Sequence, residues 1–325
     1  MSVALVLVSA TVCMADDAVG EKPSIQRRML ICCGLPGDDD HRQKMTTACQ
    51  KLILASQSVL GVEPGDLRVL AGDQQMVDTL SSDHSAVQLC QRETIQSELE
   101  QAGKQLGPND GYWVILIGHA HPYGVESQLN IAGPDINQQD FARWTDAIRC
   151  REQVYWMTQP ISGFWIKPLA REGRIVISAT EADLEFTGTE MPYALADVMT
   201  GDAENQVLED IDGDSVLSLL DLYLATNLEV ASRFRAIDRL QTEHGQLDDN
   251  GDGRGSEVQE PYLPAKPEET DDEEADDEDA EAEDAEAQVK DATVITKPAL
   301  IESRNLDGYR SRFVPVSAAQ ATDSN

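Results

Sequence analysis

Gly118-His119-Ala120-His121 is the stretch of this chain best equipped for chemistry. An imidazole titrates near neutrality, so His119 held at the end of a rigid element suits a general acid or base. Ser162-Gly163 is the second such stretch, because a hydroxyl becomes a nucleophile once a neighbouring imidazole takes its proton. Read alone, each has a plainer meaning: a polar loop histidine, and a turn. A third group is Asp210, Asp212, Asp214 and Asp221, at positions 1, 3, 5 and 12 of one loop. That is the spacing with which hard oxygen ligands wrap a calcium ion. Ser215 stands where such a loop has glycine, and Asp221 where it usually has glutamate. The alternative is an acidic turn capping a helix that begins near Val216, since carboxylates favour a helix start. Asp248–Gly253 begins the same way but continues with Gly255 and Gln259, and reads as a turn. Calcium aside, these groups require no cofactor.

The elements that must position these groups are short and apolar. Met29-Leu-Ile-Cys-Cys33, Leu67–Leu70, Tyr112–Ile117, Val154–Met157 and Arg174–Ile177 read as buried strands. Between them lie helical patterns over about 41–59, 86–106 and 137–148, followed by Pro192–Met199 and a longer one near 215–240. Leu129–Ile131 reads as a small hairpin arm. Strands alternating with helices imply an α/β fold, a mostly parallel sheet covered on both faces. In such sheets functional groups collect at the carboxyl ends of the strands. The rule points to the loops after Ile31, Ile117 and Met157, which hold both His119 and Ser162.

The chain has 325 residues, with 59 acidic and 25 basic side chains and a net charge of −34. Phosphate recognition needs a clustered cationic face, so the balance argues against nucleic acid as a partner. Residues 268–287 hold fourteen Asp/Glu and no Lys/Arg. Low hydropathy and like-charge repulsion make 258–325 read as an acidic, largely disordered tail. Residues 3–12 are apolar but too short to span a bilayer, and Ala15 precedes Asp16-Asp17. This reads as a signal peptide over 1–15, which places the mature protein outside the cytoplasm. The domain proper is expected over 25–257. Of six cysteines, five follow Ala15, with no Cys-x-x-Cys spacing for zinc. Pairing among them is not deducible from sequence.

Several motifs fall in one order. Met29–Gly37 is a strand with a glycine loop. Val114-Ile-Leu-Ile-Gly-His-Ala120 is an apolar strand ending at the histidine. Asn130–Asp135 follows, then Val154-Tyr-Trp-Met-Thr-Gln-Pro-Ile-Ser-Gly163, then Arg174–Thr180, then Glu243-His-Gly-Gln-Leu-Asp-Asp-Asn-Gly251. In this order, over about 28–255, the chain resembles the legumain-like and caspase-like cysteine peptidases of the caspase-haemoglobinase fold group. The resemblance implies a three-layer, caspase-like sandwich. It implies that His119 matches the catalytic histidine, with Gly118 and Ala120 in its loop and an oxyanion donor in the N–H after it. It also implies that Ser162-Gly163 ends the nucleophile loop, where the family has Cys-x-Ser-Gly.

Pro160 then stands in the place of the cysteine. Proline brings no thiol and no N–H, so one replacement removes the attacking group and an oxyanion donor. Residues 151–189 hold no cysteine to take its place. The expectation is an exported, non-catalytic peptidase homologue that binds a peptide or protein in the old cleft. One alternative is an active hydrolase using His119 with Ser162 or a displaced cysteine. Another is an extracytoplasmic calcium-binding scaffold.

Overall fold

The computed structural model describes residues 25–124, 126–183, 187–204, 206–259 and 304–317. In chain order the elements are β1 (Arg27–Cys33), α1 (Asp39–Ser58), β2 (Leu67–Ala71), α2 (Gln74–Leu80), β3 (Val87–Leu89), α3 (Arg92–Gln105), β4 (Gly111–Ile117), β5 (Ala120–Tyr123), β6 (Glu126–Leu129), β7 (Ile136–Asn137), α4 (Gln138–Trp144), β8 (Glu152–Met157), α5 (Gly163–Leu169), β9 (Arg174–Ser178), α6 (Met191–Thr200), α7 (Leu219–Ala236) and β10 (Gln246–Asp248). Seven strands form one sheet in the order β10-β9-β8-β4-β1-β2-β3. All its neighbours run parallel except β10, which is antiparallel to β9. β5, β6 and β7 form a small separate sheet after the histidine.

Both faces of the large sheet are buried, which is why its central strands are continuously apolar rather than alternating. Ile31, Trp113, Ile115, Val154 and Trp156 face one core with Leu52 of α1, Leu195 of α6 and Leu222 of α7. Leu30, Val114, Leu116, Tyr155 and Met157 face the other with Leu99 of α3, Phe141 of α4 and Trp165 of α5. The fold is thus the expected three-layer α/β sandwich with a mostly parallel sheet. One expected helix is divided: 86–106 opens as β3, and α3 begins only at Arg92. Val87–Leu89 pairs with β2, and sheet pairing there overrides helical spacing.

The chain order places a switch point at β1. From β1 the sheet grows through β2 and β3 on one side, then through β4, β8 and β9 on the other. The loops leaving β1 and β4 therefore meet at the carboxyl end of the sheet, where the crevice of such folds lies. The amino end is closed by a buried ion pair, Arg27 Nε to Glu152 Oε1 at 2.6 Å, with Trp113 Nε1 donating to the same oxygen.

The expected tail does not stay free throughout. Most of it, 260–303 and 318–325, lies outside the described residues, as does the expected leader. Residues 304–317, however, pack on the domain. Val314 and Val316 join the core. Leu219 N–H donates to the Val314 carbonyl, and Val316 N–H to that of Leu217. Arg27 Nη2 donates to the Pro315 carbonyl at 2.7 Å. The boundary at 257 therefore does not close the fold, because Val314-Pro-Val316 supplies apolar surface beyond the acidic run. Among the described residues no helix is long and apolar enough to cross a membrane.

Candidate functional site

His119 follows β4 at the switch point. Gly118 precedes it with φ +151°, and a Cβ there would come within 3.3 Å of the Gly34 backbone. Glycine is what lets the β1 and β4 loops cross so closely. Gly34 N–H donates to the Ile117 carbonyl, and Leu35 N–H to that of Asn130, tying the two loops together. The half-buried His119 ring then reaches the Pro36 carbonyl through Nε2 at 3.0 Å. A carbonyl only accepts, so Nε2 carries the proton of the neutral ring and Nδ1 keeps its lone pair. The histidine is held in the tautomer that can take a proton.

A second imidazole lies beside it. The rings of His41 and His119 meet edge to face, 4.7 Å between centroids. His41 sits in the first turn of α1, where its N–H donates to the capping carboxylate of Asp38 and its Nδ1 lies 2.8 Å from the same group. Those donors, the backbone one first, hold the Asp38 carboxyl below its usual range. Sequence reading missed His41. The signal was Asp38 and His41 three residues apart at the start of a helix that leaves the carboxyl end of β1. His121 takes no part in this pair and bonds Asn130 Oδ1 at 2.9 Å.

Pro160 lies in the loop after β8. Leu116 pairs with Met157. His119 and Pro160 each follow three residues later in sequence, in the loops after β4 and β8. The loop after β8 is closed. Thr158, Gln159, Pro160, Ile161 and Ser162 are all buried. Ile161 has φ +58°, a conformation in which a β-branched side chain is strained. Both amide atoms of Gln159 are buried without a hydrogen-bond partner.

Ser162 does not meet His119. Its Oγ accepts from Ala179 N–H at 2.9 Å and Thr180 N–H at 3.2 Å, and its own N–H donates to Thr180 Oγ1. It thus turns toward β9, while His119 lies on the β4 side of β8. The active-serine alternative loses its geometry here, because the hydroxyl oxygen holds the backbone just past β9. Gly163 is a packing glycine, since a Cβ on it would fall 2.2 Å from the Glu181 carbonyl carbon. Ala120 begins β5 and pairs with Leu129. No displaced cysteine reaches the crevice among the described residues. Cys150 precedes β8 at the opposite end of that strand, and burial pushes its thiol up to about 12. Cys33 pairs with Ile117 in register but faces the core.

Asp210, Asp212 and Asp214 do come together, with one carboxylate oxygen of each within 4.8 Å of the others. Asp221 is not in this trio. Its oxygens accept from Ile211 N–H, Ser218 N–H and Ser218 Oγ, and it completes a capping box at the start of α7. The expected fourth ligand is therefore a helix cap. The trio also has an internal cation: Arg312 Nε lies 2.9 Å from Asp212 Oδ2, and its Nη2 3.1 Å from Asp214 Oδ2. Burial pushes the Asp212 carboxyl up to about 6. Asp248 accepts from Gly251 N–H and Gly253 N–H, the turn that the sequence reading favoured.

An open groove runs from His41 between α1 and α6, lined by Thr47, Lys51, Glu190, Tyr193 and Arg233. No family model and no curated protein matches the chain. Among solved structures, a protein from Geobacter sulfurreducens is similar at 10% identity and a TM-score of 0.42, over 69% of this chain and 92% of that one. A secreted C11 cysteine protease from Bacteroides thetaiotaomicron, in complex with an irreversible peptide inhibitor, is similar at 13% identity and a TM-score of 0.30. That match covers 58% of this chain and 62% of the protease. At these identities and scores neither likeness carries an argument about this chain.

Proposed function

We propose that the chain is an exported caspase-like peptidase homologue that keeps the histidine of the family and has lost its nucleophile. It binds a peptide or protein ligand at the crevice and does not cleave it. One observation carries the reading: His119 is oriented by the Pro36 carbonyl at the switch point, while the loop after β8 that holds Pro160 is buried and offers no thiol. A general base without a nucleophile or a second oxyanion donor has no covalent route, and one missing donor alone lowers a rate by ~10²–10³. Binding needs neither. The motif order of the sequence supports the fold family, and the groove beside His41 supports a ligand site. Export rests on the apolar segment ending at Ala15.

The test is incubation of the purified full chain with a peptide library. The reading expects retention of some peptides and cleavage of none. Peptide hydrolysis abolished by His119→Ala would overturn it.

A further inference from the structure

Glu229 is a buried carboxylate of α7, 2% exposed. Its Oε1 accepts from Arg233 Nε, one turn further on, at 3.1 Å. Its Oε2 is buried with no hydrogen-bond partner among the described residues. An ionised oxygen taken out of water without a partner is costly, so such groups are ordinarily paired. Arg233 does not supply the missing partner, because it is already shared. Its Nη1 lies 3.3 Å from Glu190 Oε2, and its Nη2 pairs with Asp197. One guanidinium thus serves three carboxylates.

These three carboxylates line one cavity of about 590 Å³ beside α6 and α7. Glu229, Ser232, Arg233 and Ala236 recur at the spacing of a single helix face, and all four line it. Five carboxylates and two guanidinium groups border the cavity in all, so it carries an excess of negative charge. Ile237 and Leu240 border it as well, and are 61% and 90% exposed. Neither His41 nor His119 lines it, so it is separate from the crevice. A metal cage brings several ligand oxygens to one point, as those of Asp210, Asp212 and Asp214 come together. Here three carboxylates are drawn onto one arginine instead, and a single oxygen is left over.

We propose that this cavity docks a peptide segment of a protein partner through a lysine side chain, whose ammonium pairs with Glu229 Oε2. The stem of that lysine and an apolar neighbour lie on Ile237 and Leu240. The excess of carboxylates selects a cation, and the exposed apolar border selects one with an apolar stem. Lysine fits better than arginine. A guanidinium is a planar fork that seeks both oxygens of a carboxylate, and Arg233 already holds Oε1. An ammonium is a compact point charge and is served by one oxygen. The site asks nothing of His119 or Pro160, so it stands apart from the loss of the nucleophile.

The test uses the full chain and a fluorescein-labelled peptide, Gly-Ser-Leu-Lys-Leu-Ser-Gly, with counterparts carrying acetyl-lysine or arginine at the centre. Binding is followed by fluorescence anisotropy. The lysine peptide should bind about tenfold more tightly than the acetyl-lysine one, and more tightly than the arginine one. Glu229→Gln keeps an oxygen for Arg233 and should weaken the lysine peptide about tenfold, leaving the acetyl-lysine peptide unchanged. Leu240→Ser, at a position too exposed to disturb folding, should weaken the lysine peptide several-fold. A photoreactive diazirine beside the lysine should cross-link to the segment 232–242. No binding at millimolar peptide, equal binding of the lysine and acetyl-lysine peptides, tighter binding of arginine, or an affinity indifferent to Glu229→Gln would overturn the proposal. Cross-links confined to the His119 loop would also overturn it, while leaving the crevice reading intact.

Discussion

The loops after β4 and after β8 lie side by side and differ in kind. The first keeps a half-buried imidazole, aimed by a carbonyl and backed by a second ring. The second is buried throughout, Pro160 included, with a serine that clamps the next strand. Chemistry needs both loops exposed to a ligand. Packing needs only the second to be filled. The difference teaches that, of two adjoining loops at one end of a sheet, one can be built as core while the other keeps a polar group accessible.

That contrast can be broken by substitution. The largest effect is expected at Gly163, where alanine would force its Cβ against the Glu181 backbone. Overpacking of this kind costs roughly 3 kcal/mol, read as a fall in the denaturation midpoint. Ser162→Ala should be nearly as costly, at about 2 kcal/mol, because Ala179 N–H and Thr180 N–H would be left buried without their acceptor. His119→Ala should change stability by less than about 1 kcal/mol, since its ring is half-exposed and bonds one carbonyl. If Ser162→Ala proves neutral and His119→Ala strongly destabilising, the two loops have been assigned the wrong way round.

The acid-rich side of the molecule sharpens the comparison by pH. Burial pushes Asp212, Asp248 and Asp307 up to about 6. Their folded forms hold protons that the unfolded chain has already released between roughly pH 4 and 6. Stability therefore falls as pH rises through that window, and is flat above it. Urea denaturation at pH 4.5 and 7 should show the drop. Millimolar calcium at pH 7 should leave the midpoint within about 1 °C if Arg312 holds its place against Asp212 and Asp214. A larger rise, abolished by Asp212→Ala, would favour the scaffold reading.

The sequence made the core strands legible because each is a short, mostly apolar run, and most have Gly or Asp at one end. It made His119 legible because the strongest of those runs ends on it. It hid β3, since Val87-Gln-Leu89 is too short to outweigh a helical spacing that begins just beyond it. The strap at 304–317 was hidden because its apolar residues are few and follow a long acidic run. His41 escaped notice because a histidine in the first turn of a helix looks solvated until the fold brings another ring against it. Asp221 misled because one spacing serves both a metal loop and a capping box, and only the partners of its oxygens tell them apart.

The account stands on a closed loop after β8 beside an accessible imidazole, and Pro160→Cys tests that directly. The labelling rate of the new thiol by an alkylating reagent would be followed against pH, with and without His119→Ala, in a background where the native cysteines are unreactive in the folded state. The account predicts a thiol at position 160 that is labelled only on unfolding, with or without His119. A thiol that reacts in the folded protein well below the ordinary thiol range, and loses that property with His119→Ala, would contradict it.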